Sequence, residues 1–306
     1  MITLGVWLPA SLLAGLFQAW RTALQQKLRA ELTVNGAGLV RYAYGLPWAL
    51  AFAVLYLVAR GVAWPALSPA FVAWAAGAGL AQIIGTNLLI RAFGYRNFVV
   101  GTAFSKTETV QVALFAWLVL GERLTPLVVA GIVLGAAGVL ALALGGRKLA
   151  ARDVLGAIGQ PAALCGLGAG AAFALTGVMV KRATLHLDAL DNVAAALLTL
   201  AITMALQTAM LGGWIAWREP GTWRAVGRTW RSSAQVGLLA ALGSACWFTG
   251  FASAPVALVR VVGQVEVIFT LLFARGFLRE RILAHEVAGL FLVAGGVVLA
   301  LIGALG

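Results

Sequence analysis

Residues 104–125 read Phe104-Ser105-Lys106-Thr107-Glu108-Thr109-Val110-Gln111-Val112-Ala113-Leu114-Phe115-Ala116-Trp117-Leu118-Val119-Leu120-Gly121-Glu122-Arg123-Leu124-Thr125. Their skeleton returns 158 positions later (266 − 108 = 158), as Glu266, Leu272-Phe273-Ala274 and Glu280-Arg281. The register holds without a gap from 79–145 onto 237–303. Gly79 meets Gly237, Gly85 meets Gly243, Phe93 meets Phe251, and Gly131 and Gly138 meet Gly289 and Gly296. Chance readily aligns Gly, Ala and Leu in so apolar a chain. It rarely aligns two Glu 14 apart in each copy (122 − 108 and 280 − 266) when the whole chain holds 10 acids. The sequence is therefore read as an internal duplication, with repeats 1–148 and 149–306.

What surrounds the repeat is apolar. Of 306 residues 62% are hydrophobic and 10% charged, with a mean hydropathy of +0.97. A soluble domain carries about 25% charged residues, so this surface suits lipid. A helix needs about 20 apolar residues to cross the hydrocarbon core. Ten such runs are expected, at 6–27, 37–59, 70–92, 97–120 and 126–145, then 160–181, 189–212, 233–253, 256–278 and 284–305. In lipid only helices and closed barrels satisfy the backbone, and runs this long are helices. The fold class read from sequence is all-α integral membrane: ten transmembrane helices in two five-helix repeats. An odd number per repeat inverts the second against the first, an arrangement of secondary transporters whose site lies near the midplane.

The segment Gly121-Glu122-Arg123-Leu124-Thr125-Pro126 predicts a helix stop followed by a start. Gly121 suits positive φ, Thr125 a cap, Pro126 a first turn. Gly131 and Gly135 form a Gly-xxx-Gly pair open to two readings, close helix approach or mere Gly-rich composition. The start Met1-Ile2-Thr3-Leu4 lacks a basic region, so the first apolar run reads as a retained helix.

The net charge of +12 points to loops rather than nucleic acid. Arg29, Arg96, Arg147, Lys148, Arg152, Arg218, Arg224, Arg228, Arg231, Arg279 and Arg281 fall on one side of the expected topology; Arg60, Arg123 and Arg182, with Lys181 at a helix end, fall on the other. The richer side is expected to be cytoplasmic, with both termini outside. Cys165 and Cys246 sit in apolar runs, and His186 and His285 are apart. Neither a disulfide framework nor a metal spacing is present. No nucleotide loop or catalytic grouping appears, so no cofactor is expected. An integral-membrane enzyme is disfavoured for want of a polar catalytic cluster.

Ionisable residues inside a membrane are functional candidates by default. Glu108 and Glu266 fall mid-helix in the fourth and ninth runs. Lys106, two residues from Glu108, should point elsewhere. Arg21 lies deep in the first run beside Gln18. Arg41, Arg91 and Arg260 lie near enough to helix ends to snorkel; Arg260 precedes Gln264 by four residues. Gln82, Asn87, Gln111 and Asn192 are polar neighbours. Trp20 and Trp247 lie deep enough to stack on a substrate, against the reading that they are belt anchors. The Glu pair supports two readings. Either both acids face a cavity and hold a proton or an ammonium, or they are salt-bridge partners of Lys106, Arg21 or Arg260. With acids and bases both present, the cavity favours zwitterions, such as amino acids, or organic anions over lipophilic cations. Trp223, Val226 and Trp230 share one face of a helix over 222–231 and Arg224, Arg228 and Arg231 another, an amphipathic helix for the membrane surface.

The Gly121-Glu122-Arg123-Leu124-Thr125 segment and the Gly-rich 131–145 helix after it, with the Glu-Arg step repeated at 280–281, resemble the drug/metabolite transporter superfamily, ten-helix EamA-domain branch. The resemblance spans essentially the whole chain. It implies secondary transport of amino acids, other metabolites or toxic organic compounds, through a cavity between the halves. It implies a multi-pass protein of the cell membrane, the inner membrane in a bacterium, with a small-molecule substrate, a possible proton coupling, and a monomer or dimer left open. A lipid-linked-sugar flippase is the alternative the superfamily also contains. There are departures. Family members usually have an apolar or Pro-containing middle of helix four, where this chain has Ser105-Lys106-Thr107-Glu108-Thr109, and usually keep both termini in the cytoplasm. The small multidrug resistance relatives carry a key Glu in helix one. Gln18 and Arg21 stand here instead, so that drug-binding role is not carried over.

Overall fold

The computed structural model describes residues 5–28, 31–94, 104–143, 160–269, 272 and 284–305. Among them every regular element is a helix. Arg29, Arg96, Arg147, Lys148, Arg152, Arg279, Glu280 and Arg281, the repeat boundary at 148/149, and the 97–103 and 273–278 parts of two expected spans lie outside the described residues.

Helices start and stop where the local chemistry says they should. α1 covers Trp7–Leu28. α2, Val34–Ala43, starts at Thr33, whose hydroxyl accepts from the Gly36 amide at 3.1 Å. α3, Leu46–Arg60, has Pro47 in its first turn and ends on Gly61 at φ 64°. α4 is Pro69–Gly94 and α5 Glu108–Leu120. Gly121 closes α5 at φ 68°, and Thr125 caps α6, Pro126–Ala143, through the Val128 amide at 3.3 Å. The stop and start read in 121–126 are thus both present. α7 is Pro161–Thr184 and α8 Asn192–Arg218, capped by Asp191. α9 is Pro220–Arg228, α10 Trp230–Ser253, α11 Val256–Gly263 and α12 Ala284–Leu305.

Six of these are long and apolar enough to cross a membrane: Val34–Arg60 taken through its break, Pro69–Leu89, Pro161–Thr184, Asn192–Arg218, Trp230–Ser253 and Ala288–Leu305. Glu108–Leu120 and Pro126–Ala141 are shorter apolar helices. Leu55, Val58, Leu118 and Phe291 stand well exposed on them, as lipid-facing residues do. The protein is an all-helical multi-pass membrane protein.

The most extensive pairings are α6 with α12, α4 with α7 and α1 with α10. A shift of 158 residues carries α1 onto α7 and α4 onto α10, so it exchanges the last two pairings. The α6–α12 contact is glycine on glycine. A Cβ on Gly296 would lie 2.5 Å from the Gly135 amide nitrogen and 2.7 Å from the Gly131 carbonyl. Gly131 and Gly135 therefore serve close approach. α11 sits at the centre, with Val256, Ala257, Leu258, Val259, Val261 and Val262 all buried.

Three sequence expectations are corrected. The second span is not one straight helix over 37–59. It breaks at Tyr44-Gly45, where Pro47 cannot supply an amide to the ladder and Gly237 of α10 packs its backbone onto Tyr44. The 97–120 and 256–278 spans are not continuous over their described parts, since turns interrupt them at Lys106-Thr107 and Gln264-Val265. The 213–232 connection is mostly helix: α8 runs on to Arg218, the short helix is Pro220–Arg228 rather than 222–231, and Trp230 already begins α10.

Candidate functional site

The two interrupted helices break at corresponding positions, since 106 + 158 = 264 and 107 + 158 = 265. In each case a Glu follows at once, Glu108 as the first residue of α5 and Glu266 opening a further helical turn. An acid at a helix N-terminus meets the positive end of the dipole. Broken helices at membrane depth are tolerated where they line a cavity, and one lies here. Gln18 of α1, Lys106, Glu108 and Thr109 around the first break, Val139 of α6, Trp247 of α10, and Arg260, Gly263, Gln264, Glu266 and Val267 line it. Its volume is about 60 Å³, room for a few water molecules.

Glu108, Arg260 and Glu266 in this cavity are each engaged by a neighbour. The Arg260 guanidinium lies 3.0 Å from Glu108 Oε1. It also sits over the rings of Trp247, at 4.6 Å, and Phe251, at 5.2 Å, which are themselves stacked at 5.7 Å. Aromatic faces and a carboxylate thus hold one cation from two sides. Trp247 Nε1 donates to Gln18 Oε1 at 3.0 Å, and Gln18 Nε2 donates to Glu266 Oε2 at 2.6 Å. An indole only donates and a carboxylate only accepts, so this relay sets the Gln18 amide's orientation. Gln264 Nε2 donates to Thr109 Oγ1 at 2.8 Å, tying one break to the other. Two glycines make the room: Gly135 faces the Gln264 carbonyl, and Gly263 lies under the Trp247 ring.

On the face formed by 121–125 and 254–255 the protein is latched. Lys181 Nζ lies 3.5 Å from Glu122 Oε1 and donates to the Ala254 carbonyl at 2.7 Å, while the Val256 amide donates to Glu122 Oε2 at 2.9 Å. Four residues from three segments meet there. Burial pushes the Glu122 carboxyl above the usual carboxylate range, against the pull of Lys181.

Of the residues picked from sequence, Gln18, Lys106, Glu108, Trp247, Arg260, Gln264 and Glu266 line the cavity together. The two readings of the Glu pair merge: Glu108 is both a salt-bridge partner and a cavity residue. Lys106 and Glu108 line the same cavity although two apart, because no helix runs through 106–107 and its angular rule does not apply. Arg260 does not snorkel but turns inward onto Glu108. Arg41 does not snorkel either, being 8% exposed; the break at Tyr44-Gly45 puts it inside the bundle rather than at an end. Arg91 is exposed, as expected. Trp20 is 45% exposed and away from the cavity. Gln82 accepts from Gln207 at 2.7 Å and Gln111 donates to Thr107 at 2.7 Å, so both, like half-buried Asn87, lie outside the lining. Arg21 is buried but does not line the cavity. Thr109, Gly263 and Lys181 carry no sequence signal beyond that of any membrane Thr, Gly or helix-end charge; Glu122 and Phe251 stand out in sequence as repeat positions, and only the fold gives them these partners.

Comparison with known proteins agrees with this architecture. A solved crystal structure, described only as "Crystal structure of protein", superposes with a TM-score of 0.70 over 97% of this chain and 94% of its own, at 19% identity. That likeness shows the fold. No curated protein matches the chain. The model of the EamA-like transporter family matches residues 160–302, from the start of α7 into α12. Through that stretch the chain is similar to the EamA-like transporter family, which lies within the drug/metabolite transporter superfamily of membrane transporters.

Proposed function

We propose that the protein is a secondary transporter, an exporter of a small metabolite of the amino-acid-like zwitterion or organic-anion class. It works by alternating access between two inverted five-helix repeats, 1–148 and 149–306, in the inner membrane of a bacterium. The observation that carries this reading is the cavity at the two matched helix breaks. It draws Gln18 and Glu108 from one half and Trp247, Arg260 and Glu266 from the other, so relative movement of the halves must remake it. At about 60 Å³ it is contracted, and the Glu122–Lys181 latch seals one approach. A solute can enter only as those contacts exchange, which is the coupling that alternating access needs. Glu108 or Glu266 is the carrier of a coupling proton, released when a charged solute takes over its partner. A cavity this narrow disfavours the flippase alternative, which needs a wide lateral opening.

The test is counterflow and pH-jump uptake in proteoliposomes. Glu108→Gln and Glu266→Gln should abolish the response to a proton gradient while the protein stays folded and inserted. Loss of expression or of the unfolding transition in both variants, with no transport defect separable from it, would assign the acids to structure alone.

A further inference from the structure

Among the described residues, two buried bases stand outside the Glu108–Arg260 and Glu122–Lys181 pairs. Arg21 of α1 and Arg41 of α2 are 9% and 8% exposed. Small residues of α10 admit both helices: Gly243 lies against Phe17 and Gln18, and Gly237 against Tyr44. Arg21 lies within electrostatic reach of Arg41, Glu266 and Tyr42. The Arg41 guanidinium sits over the Tyr42 ring at 5.5 Å. Among the described residues, Nε of Arg21, Nε of Arg41 and the Tyr42 hydroxyl are all buried with no hydrogen-bond partner. No described carboxylate comes within 4 Å of either guanidinium. Glu266, an acid within electrostatic reach of Arg21, already accepts from Gln18.

A buried guanidinium is costly unless an anion meets it, and a second one nearby adds repulsion. Two planar forks and a hydroxyl with open donors are the chemistry that recognises a carboxylate or phosphate. An ammonium finds no such welcome, because Glu108 is engaged by Arg260 and Glu266 by Gln18. We propose that Arg21, Arg41 and Tyr42 form an oxyanion subsite beside the cavity, which takes the carboxylate or phosphate of the transported solute and makes that solute a net anion rather than a zwitterion. The proposal rests on the transporter reading above for the word solute; the binding of an oxyanion stands without it.

The experiment is thermal unfolding of the purified full-length protein at fixed ionic strength. The probes are inorganic phosphate, succinate, alanine, choline and phosphatidylglycerol in mixed micelles. Phosphate or succinate should raise the midpoint saturably, and alanine and choline should not. Arg21→Gln and Arg41→Gln should each weaken the anion's apparent affinity at least tenfold. Their unliganded midpoints should stay level or rise, because a buried like charge has gone. Arg21→Lys and Arg41→Lys, which keep the charge and lose the fork, should fall between. An anion shift that persists in both Gln variants overturns the subsite, as does stabilisation by alanine or choline alone. Unliganded Gln and Lys variants that all unfold early, with no anion response in the parent, overturn it in favour of a structural role. Saturation by phosphatidylglycerol that succinate cannot displace assigns the site to a lipid headgroup and overturns the solute assignment. Transport that needs Glu266 but ignores Arg21→Gln and Arg41→Gln overturns the subsite and leaves the transporter standing; anion binding without transport of any solute does the reverse.

Discussion

Gly263→Ala should damage this protein far more than one methyl group suggests. The Cβ of an alanine there would lie 2.6 Å from Cζ3 and 3.1 Å from Cζ2 of Trp247, and nearer still to Cη2. Carbon atoms in contact sit about 3.5–4.0 Å apart, so the indole has to move by about 1 Å or more. Its donor bond to Gln18, now 3.0 Å, would then pass out of hydrogen-bond range. Overpacking costs about 1–3 kcal/mol and the lost bond about 0.5–1.5 kcal/mol, together about 1.5–4.5 kcal/mol. The consequence reaches the chemistry. Gln18 loses its orienting donor and is free to turn from Glu266, and Arg260 loses part of its aromatic seat. Gly213→Ala in α8 is the control, since nothing lies within 4 Å of a Cβ there and helix propensity gains up to about 1 kcal/mol. Denaturation in detergent measures the difference, and the Gly263→Ala, Trp247→Phe double variant tests the cause: the smaller ring should recover most of the packing loss without restoring the donor bond. Equal stability of Gly263→Ala and Gly213→Ala, or a Trp247→Phe change that adds fully to Gly263→Ala, would refute the reasoning.

Gly296→Leu should part α6 from α12, because its side chain enters where backbone atoms of Gly131 and Gly135 now stand within 2.7 Å; a midpoint equal to that of Gly295→Leu, beside it and facing only Leu134 at 3.5 Å, would count against the interface. Glu219→Ala should loosen the joint between α2 and α9, since that carboxylate accepts from Thr33 at 3.2 Å, Asn35 at 2.7 Å and Thr222 at 3.2 Å; about 1–3 kcal/mol is expected, with faster amide exchange at 33–36 as the local readout. Acidification should strengthen the latched form through Glu122: burial raises its carboxyl pKa there, so the latched state binds a proton more readily than a hydrated carboxylate, and that gain is present below the raised pKa and is lost as pH rises through it. Alkylation of an Ala254→Cys variant should therefore slow as pH falls from neutral to about 5, after correction for the thiolate fraction; faster corrected labelling at low pH would reverse the sign.

Much of the architecture was legible because its signals are local or periodic. Apolar runs long enough to cross a bilayer, the stop at Gly121, the cap at Thr125 and the duplicated acids depend on neighbours in sequence. Of the candidate site, the acids, Gln18, Trp247, Arg260 and Gln264 could be nominated because polar groups are scarce in lipid and each must be accounted for. Arg41 and Arg260 escape the sequence for one shared reason: distance from a helix end is meaningful only along an unbroken helix, and both lie near a break. Trp20 escapes it because depth along α1 says nothing about which side of α1 faces lipid.

The sequence by itself determined that this is a membrane-embedded, all-helical chain with two matched acids, since hydropathy and repeat register are properties of one dimension. Only the tertiary structure decided which cation meets which anion. Arg260 could pair with either Glu on composition, and the choice of Glu108 depends on α11 running buried beside α5 with Gly263 clearing space for Trp247. It also decided that Arg21 and Arg41 are buried, with Nε open on each, rather than reaching for the surface. Burial depends on how α10's glycines let two distant helices close in, and a pairing across 20 or more residues of separation leaves no trace in local spacing.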